Sequence, residues 1–215
     1  MSGKGGPMIG TLTGPRVQTW PQTDSLPPFH DPWPSAGRWT YEDWLRLPDD
    51  GFRYEVLNGD LHMVPPPSLK HQSVVTELAR RMGNFVIRNN VGRLWVAPCG
   101  VRLPGQPVPV QPDILFIRAE RLHILGREYV EGAPDLVVEV LSPHNWLYDR
   151  REKFMAYQEA GVAEYWIVDP RAATIEIFVL EEGLFTLLGQ FGRGETARSR
   201  VLAGFEVSIG DILTD

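Results

Sequence analysis

Residues 134–170 read PDLVVEVLSPHNWLYDRREKFMAYQEAGVAEYWIVDP, from Pro134 to Pro170, and their punctuation decides the architecture. Asp135–Leu141 is short, β-branched and apolar, the pattern of a strand buried on both faces, yet it carries Glu139 near its end. Pro143 and Asn145 then break the chain. Asn145 predicts the N-cap of a helix from Trp146 to about Ala160, and Gly161 its left-handed stop. Val162–Asp169 returns as a second apolar strand closed by Pro170. Strand, helix and strand of these lengths make a βαβ unit with parallel strands and a right-handed crossover.

That unit sets two charged residues at one level. Glu139 lies about 10 Å back from the end of its strand, and Lys153 lies about 10 Å along a helix that runs back over it. Asp149, Lys153 and Tyr157 recur at every fourth residue and share one helix face. A carboxylate in an apolar strand is costly unless something compensates it. Lys153 is one candidate partner and a metal ion is another.

Working outward, 215 residues suit one medium domain with a sizeable core. A net charge of -6 and a pI near 5.4 argue against a broadly basic surface, and so against avid nonspecific binding of nucleic acid. Cys99 is the single cysteine, which excludes an intrachain disulfide and a cysteine metal cluster and suits a reducing compartment. No apolar run reaches membrane-spanning length and the N-terminus lacks a signal-peptide core, so a soluble, cytoplasmic protein without a membrane partner is expected. Residues 1–37 are rich in Gly and Pro and predict a flexible arm, with Trp20 and Trp33 placed to pack on the domain or on a partner subunit. Residues 38–215 read as one domain.

Thr40 caps a short helix, TYEDWLRL, ended by Pro48. FRYEVLNGDLHMV then gives alternating strands joined by Asn58-Gly59, a hairpin signal that pairs Leu57 with Asp60 and Glu55 with His62. Ser68 caps a long helix whose stripe is His71, Val74, Val75, Leu78, Met82, Phe85 and Val86, stopped by Asn90 and Gly92. RLWVAPCGVRL gives one or two strands, and QPDILFI gives a strand with Asp113 just ahead of its apolar run. Residues 118–132 are polar and weakly helical at best. TIEIFVL and LFTLLGQF predict an antiparallel hairpin around Glu182-Gly183, and VLAGFEVSIGDIL a short strand or turn. The economical architecture is α/β, a mixed sheet with helices on its faces.

Asp113 and Glu139 occupy places where structure alone prefers apolar residues. One reading makes them structural ion pairs with Arg150, Arg151 or Lys153. The other makes them oxygen ligands of a hard cation, with water and substrate phosphate completing an Mg²⁺ shell and a lysine positioning the nucleophile.

Taken together, RYEVLNGDLHMVPPPSLKHQSVV, VQPDILFI, PDLVVEVLSP and DRREKFMAYQEAGVAEYWIVDP resemble the Uma-type family, a group assigned as endonucleases within the restriction-endonuclease-like PD-(D/E)XK superfamily. The resemblance runs from about Tyr54 to Pro170, several blocks appearing in the family's order. It implies a restriction-endonuclease-like mixed β-sheet flanked by helices, with hairpins at both ends. By position, Pro112-Asp113 corresponds to "PD" and Glu139 to "(D/E)". Leu141 stands where the superfamily's lysine is expected, and Lys153 in the following helix replaces it. Glu55 aligns with an acid of the opening hairpin, either as a further site carboxylate or as the cross-strand partner of His62. His71 matches a family position and either faces the site or packs on its own apolar stripe. Tyr157 is a core tyrosine or a donor to a site carboxylate, Asp149 is a partner for Lys153, and Asp169 is a strand-ending turn residue.

The implied activity is Mg²⁺- or Mn²⁺-dependent hydrolysis of DNA by Asp113, Glu139, Lys153 and Glu55, with Asp113 and Glu139 as metal ligands. A homodimer is the expected assembly for cutting paired strands. The alternatives are a catalytically silent module of the same fold that binds protein or nucleic acid, and hydrolysis of another phosphate-containing substrate.

Overall fold

The computed structural model describes residues 33–50, 52–64, 66–142 and 149–213, without the side chains of Asp149 and Arg150. Its elements are α1 (Tyr41–Leu45), β1 (Arg53–Leu57), β2 (Asp60–Val64), α2 (Leu69–Asn89), β3 (Gly92–Val96), β4 (Val101–Arg102) and β5 (Ile114–Arg118). A 3₁₀ turn (Ala119–Ile124), β6 (Val130–Glu131) and β7 (Leu136–Val140) follow, then a π-helical turn (Asp149–Lys153) continuing into α3 (Phe154–Ala160). The chain ends in β8 (Glu164–Asp169), β9 (Thr174–Glu181), β10 (Leu184–Phe191), β11 (Thr196–Arg198), β12 (Glu206–Ser208) and α4 (Ile209–Ile212).

Six strands form the central sheet in the order β10-β9-β8-β7-β5-β3. β7 and β8 are parallel, as a βαβ unit requires, while the other neighbours are antiparallel. Side chains alternate across the central strands. Ile114, Phe116, Val138 and Trp166 meet the stripe of α2 on one face. Leu115, Ile117, Val137 and Ile167 meet Ala156 and Tyr157 of α3 on the other. Burial on both faces explains why these strands read as continuous apolar runs.

Local signals account for the helix and turn boundaries. Thr40 and Asp43 make a reciprocal capping box at α1. Ser68 Oγ accepts the His71 N–H at 3.1 Å to start α2, and Asn90 ends it in the left-handed conformation. Asn58 and Gly59 both have positive φ, 53° and 80°, as the tight hairpin demands. A Cβ on Gly59 would lie 2.6 Å from the Gly37 backbone, so only glycine fits there.

The structure departs from the sequence expectations in several places. Asn145 as N-cap and the first turn from Trp146 lie outside the described residues, and the described part of that helix opens as a π turn rather than an α turn. β11 pairs with β12, and the tail ends in the short helix α4, not in strand or turn alone. β4 and β6 pair over only two residues each, too short for any periodicity to reveal. Of the arm expected over residues 1–37, residues 1–32 lie outside the described residues. Trp33 packs against Trp39, ring centroids 5.2 Å apart.

A carboxylate that the motif reading passed over ties the C-terminal segment to the sheet. Glu164 on β8 is fully buried and accepts from Trp166 Nε1 (2.6 Å), Ser199 Oγ (2.7 Å), Arg200 N (2.7 Å) and Val201 N (2.8 Å). Removing an acceptor that satisfies several buried donors costs a full desolvation penalty for each orphan. Glu164→Ala is expected to lose at least about 3 kcal/mol of stability, checked by urea unfolding against wild type.

Candidate active site

The β5–β7 register pairs Ile114 with Val138 and Leu115 with Val137. One further step in that register sets Asp113 opposite Glu139. The alternation puts both on the face of Leu115 and Val137, the face that α3 covers. The two acids therefore stand side by side at the carboxyl end of β7. They line one cavity of about 70 Å³ together with Arg53, Glu55, His71 and Lys153.

Lys153 organises the acids. Its Nζ lies 3.1 Å from Glu139 Oε1 and 3.5 Å from Glu55 Oε2. Tyr157, one turn on along the same helix face, donates its hydroxyl to Glu139 Oε1 at 2.7 Å. Burial, followed by the adjacent Glu139 charge, pushes the Tyr157 phenol well above its usual range, so it remains a donor. The π turn ends at Lys153, and from there the ammonium and the phenol reach the same carboxylate oxygen.

Asp113 is held differently. Its Oδ2 accepts the Val140 N–H at 2.8 Å and lies 3.2 Å from His71 Nε2. Burial by itself raises the Asp113 carboxyl, but the His71 hydrogen bond and charge, Lys153 and the Val140 amide outweigh it and hold the group below its usual range. An ionised Asp113 follows. Among the described residues its Oδ1 meets no donor, which leaves one oxygen for a ligand.

All four catalytic candidates, Asp113, Glu139, Lys153 and Glu55, thus converge, and His71 and Tyr157 join them. Glu55 and His62 are cross-strand partners in the backbone register, yet the Glu55 carboxylate engages Arg53 and Lys153. His71 belongs to the α2 stripe and also turns Nε2 to Asp113, so packing and site roles coexist in one ring. Asp169 lies elsewhere and accepts the Arg171 and Ala172 N–H groups, as a turn residue does. The Asp149 side chain lies outside the described residues, and so does that of Arg150. Arg151 is exposed.

Arg53 escaped the sequence reading. Its signal was there, since residues two apart on a strand share a face and Glu55 had already been singled out. Arg53 Nη2 donates to Glu55 Oε1 and to the Gln111 carbonyl oxygen, the latter at 3.0 Å.

Among the described residues no three His, Cys, Asp or Glu side chains group closely enough to enclose a metal. The donor set here is two carboxylates, Asp113 and Glu139, in one small polar cavity. Two such carboxylates could hold a hard divalent cation, which binds through one or two carboxylates and keeps several waters.

A family model, Uma2, described as "Putative restriction endonuclease", matches residues 41–210. The chain belongs to the Uma2 family. Its fold is also similar to that of a solved structure from Anabaena variabilis ATCC 29413, titled a putative nuclease belonging to DUF820. The TM-score is 0.67 at 19% identity, over 81% of this chain and 97% of that one. No curated protein matches the chain. The family description is that of a nuclease, and the fold is restriction-endonuclease-like as the sequence implied. Among the described residues no helix is long and apolar enough to cross a membrane.

Removing one member of a buried charge cluster strands the others. Lys153→Met is expected to cost about 3 kcal/mol, and the double change Lys153→Met with Glu139→Gln to cost less than the single one. Denaturant unfolding of the four species in that cycle checks it.

Proposed function

We propose that this member of the Uma2 family is a divalent-metal-dependent endonuclease that hydrolyses DNA phosphodiester bonds. The observation that carries the reading is the meeting of Asp113, Glu139 and Lys153, from three separate elements, at one cavity. Asp113 and Glu139 would hold Mg²⁺ or Mn²⁺, Asp113 through the oxygen that His71 and Val140 leave unused. A cation held there supplies charge against the phosphate oxygens and acidifies its water.

The chain's own groups do the rest. Lys153, paired with Glu139 and Glu55, orients the attacking water and stabilises charge that builds on the phosphorus oxygens. Tyr157 holds Glu139 in one rotamer, and His71 holds Asp113. Because each acid is oriented by at least one neighbour, little reorganisation is needed when substrate arrives. The overall charge of -6 means that affinity for DNA does not come from the surface as a whole. Cutting both strands of a duplex calls for two copies of the site, and we place the enzyme in the cytoplasm as a homodimer.

The acids' ion pairs favour a second reading, a silent nuclease-fold module in which Lys153 serves only as counter-ion. Asp113→Asn separates the two. In the nuclease it abolishes Mn²⁺-dependent cleavage of plasmid DNA, as do Glu139→Gln and Lys153→Ala, while circular dichroism of the Asp113 and Glu139 variants stays native. Equal cleavage by wild type and Asp113→Asn rejects the proposal. In the silent module, Asp113→Asn only lowers stability, and calorimetry detects no Mg²⁺ binding to wild type.

A further inference from the structure

The chemistry just described leaves Arg53 without a part, although its guanidinium lines the same cavity. Nη2 is spent on Glu55 and the Gln111 carbonyl, and these two acceptors fix the guanidinium plane. Among the described residues Nη1 and Nε meet no acceptor. The two cations sit at different depths: the side chain of Arg53 is 35% exposed and that of Lys153 only 6%. Arg53 therefore stands at the mouth and Lys153 at the floor. Lys153 already directs its ammonium to two carboxylates. Nε of Arg53 is itself buried, so the guanidinium donor left open without an acceptor is Nη1.

Charge leads to the same residue. Three carboxylates (Glu55, Asp113, Glu139) share the cavity with Arg53, Lys153 and the His71 ring, whose charge acts on Asp113. A divalent cation held beside those acids would add positive charge for a phosphodiester to meet. Burial by itself lowers the Arg53 pKa, but Glu55 and then Glu139 and Asp113 raise it overall, so the guanidinium is charged under all working conditions.

We propose that Arg53 is a substrate-binding residue whose Nη1 donates to a non-bridging oxygen of the phosphodiester entering the cavity, an assignment that rests on the nuclease reading above. Guanidinium is the side-chain group best matched to phosphate oxygens. The Glu55 and Gln111 contacts hold it in place before the substrate arrives, which limits the ordering cost of binding. Its nearest rival role is a clamp that merely orients Glu55.

Arg53→Gln and Arg53→Lys in the full chain distinguish these roles. Three quantities are read: Mn²⁺ affinity by calorimetry, affinity for a short fluorescent duplex with Ca²⁺ in place of Mn²⁺, and kcat and KM with Mn²⁺. Arg53→Gln is expected to bind Mn²⁺ as wild type does and to bind the duplex about tenfold more weakly. Its kcat/KM should fall on the order of 100-fold, with KM raised. Arg53→Lys keeps a cation beside Glu55 and should recover part of both losses; it is the variant to read if Arg53→Gln does not fold. Unchanged duplex affinity and KM in both variants would overturn the assignment, as would loss of Mn²⁺ affinity with KM intact, the mark of a clamp on Glu55. Wild type that binds Mn²⁺ and cleaves, while Arg53→Gln matches it, removes Arg53 alone. Wild type that does neither removes the nuclease reading along with it.

Discussion

The ammonium of Lys153, lodged between Glu139 and Glu55, is the contact on which the site depends. Each group comes from a different element: Glu55 from the opening hairpin, Glu139 from a central strand, Lys153 from the end of the π turn. Each offsets the burial of its neighbour, because an unpaired buried charge is far more costly than the pair. Hairpin, sheet and helix are thus tied to one another through charge as well as through apolar contact. The Tyr157 hydroxyl and the Arg53 guanidinium extend the chain of contacts at its two ends.

Two buried carboxylates in the same sheet show how surroundings separate scaffold from chemistry. Glu164 is satisfied by neutral donors, two of them backbone amides, and fastens the C-terminal segment in place. Glu139 meets a cation and a phenol and borders a cavity with Asp113 opposite. The first arrangement uses up the carboxylate's capacity within the fold. The second sets a carboxylate beside open space, which is the condition for binding a cation and a phosphate.

Much of this was legible from local patterns. The Asn58-Gly59 turn, the Ser68 cap, the α2 stripe and the helix stop at Gly161 each follow from backbone preferences acting over a few residues. Matching strand rise to helix rise was enough to bring Lys153 to Glu139, and the family's motif order supplied Asp113. What escaped was whatever depends on contacts remote in sequence or on very short elements. Arg53 shares a strand face with Glu55, but the Gln111 carbonyl that fixes its guanidinium lies 58 residues away in sequence. The His71 ring satisfied the helical stripe equally well with its polar edge in either direction. The π turn leaves no periodic signature, and β11 is three residues long.

The chain's own order of residues determined the longer elements, the Asn58-Gly59 hairpin register, the βαβ unit and the identity of the acids and the lysine, because turns, caps and alternating polarity act locally. Only the tertiary structure decided that Asp113 stands opposite Glu139, that His71 rather than an arginine supports Asp113, and that Arg53 occupies the mouth of the cavity. Those facts rest on sheet register and on the packing of α2 and the hairpin around one end of the sheet. Long-range packing of that kind is set by the summed burial of the whole core and by no single stretch of chain.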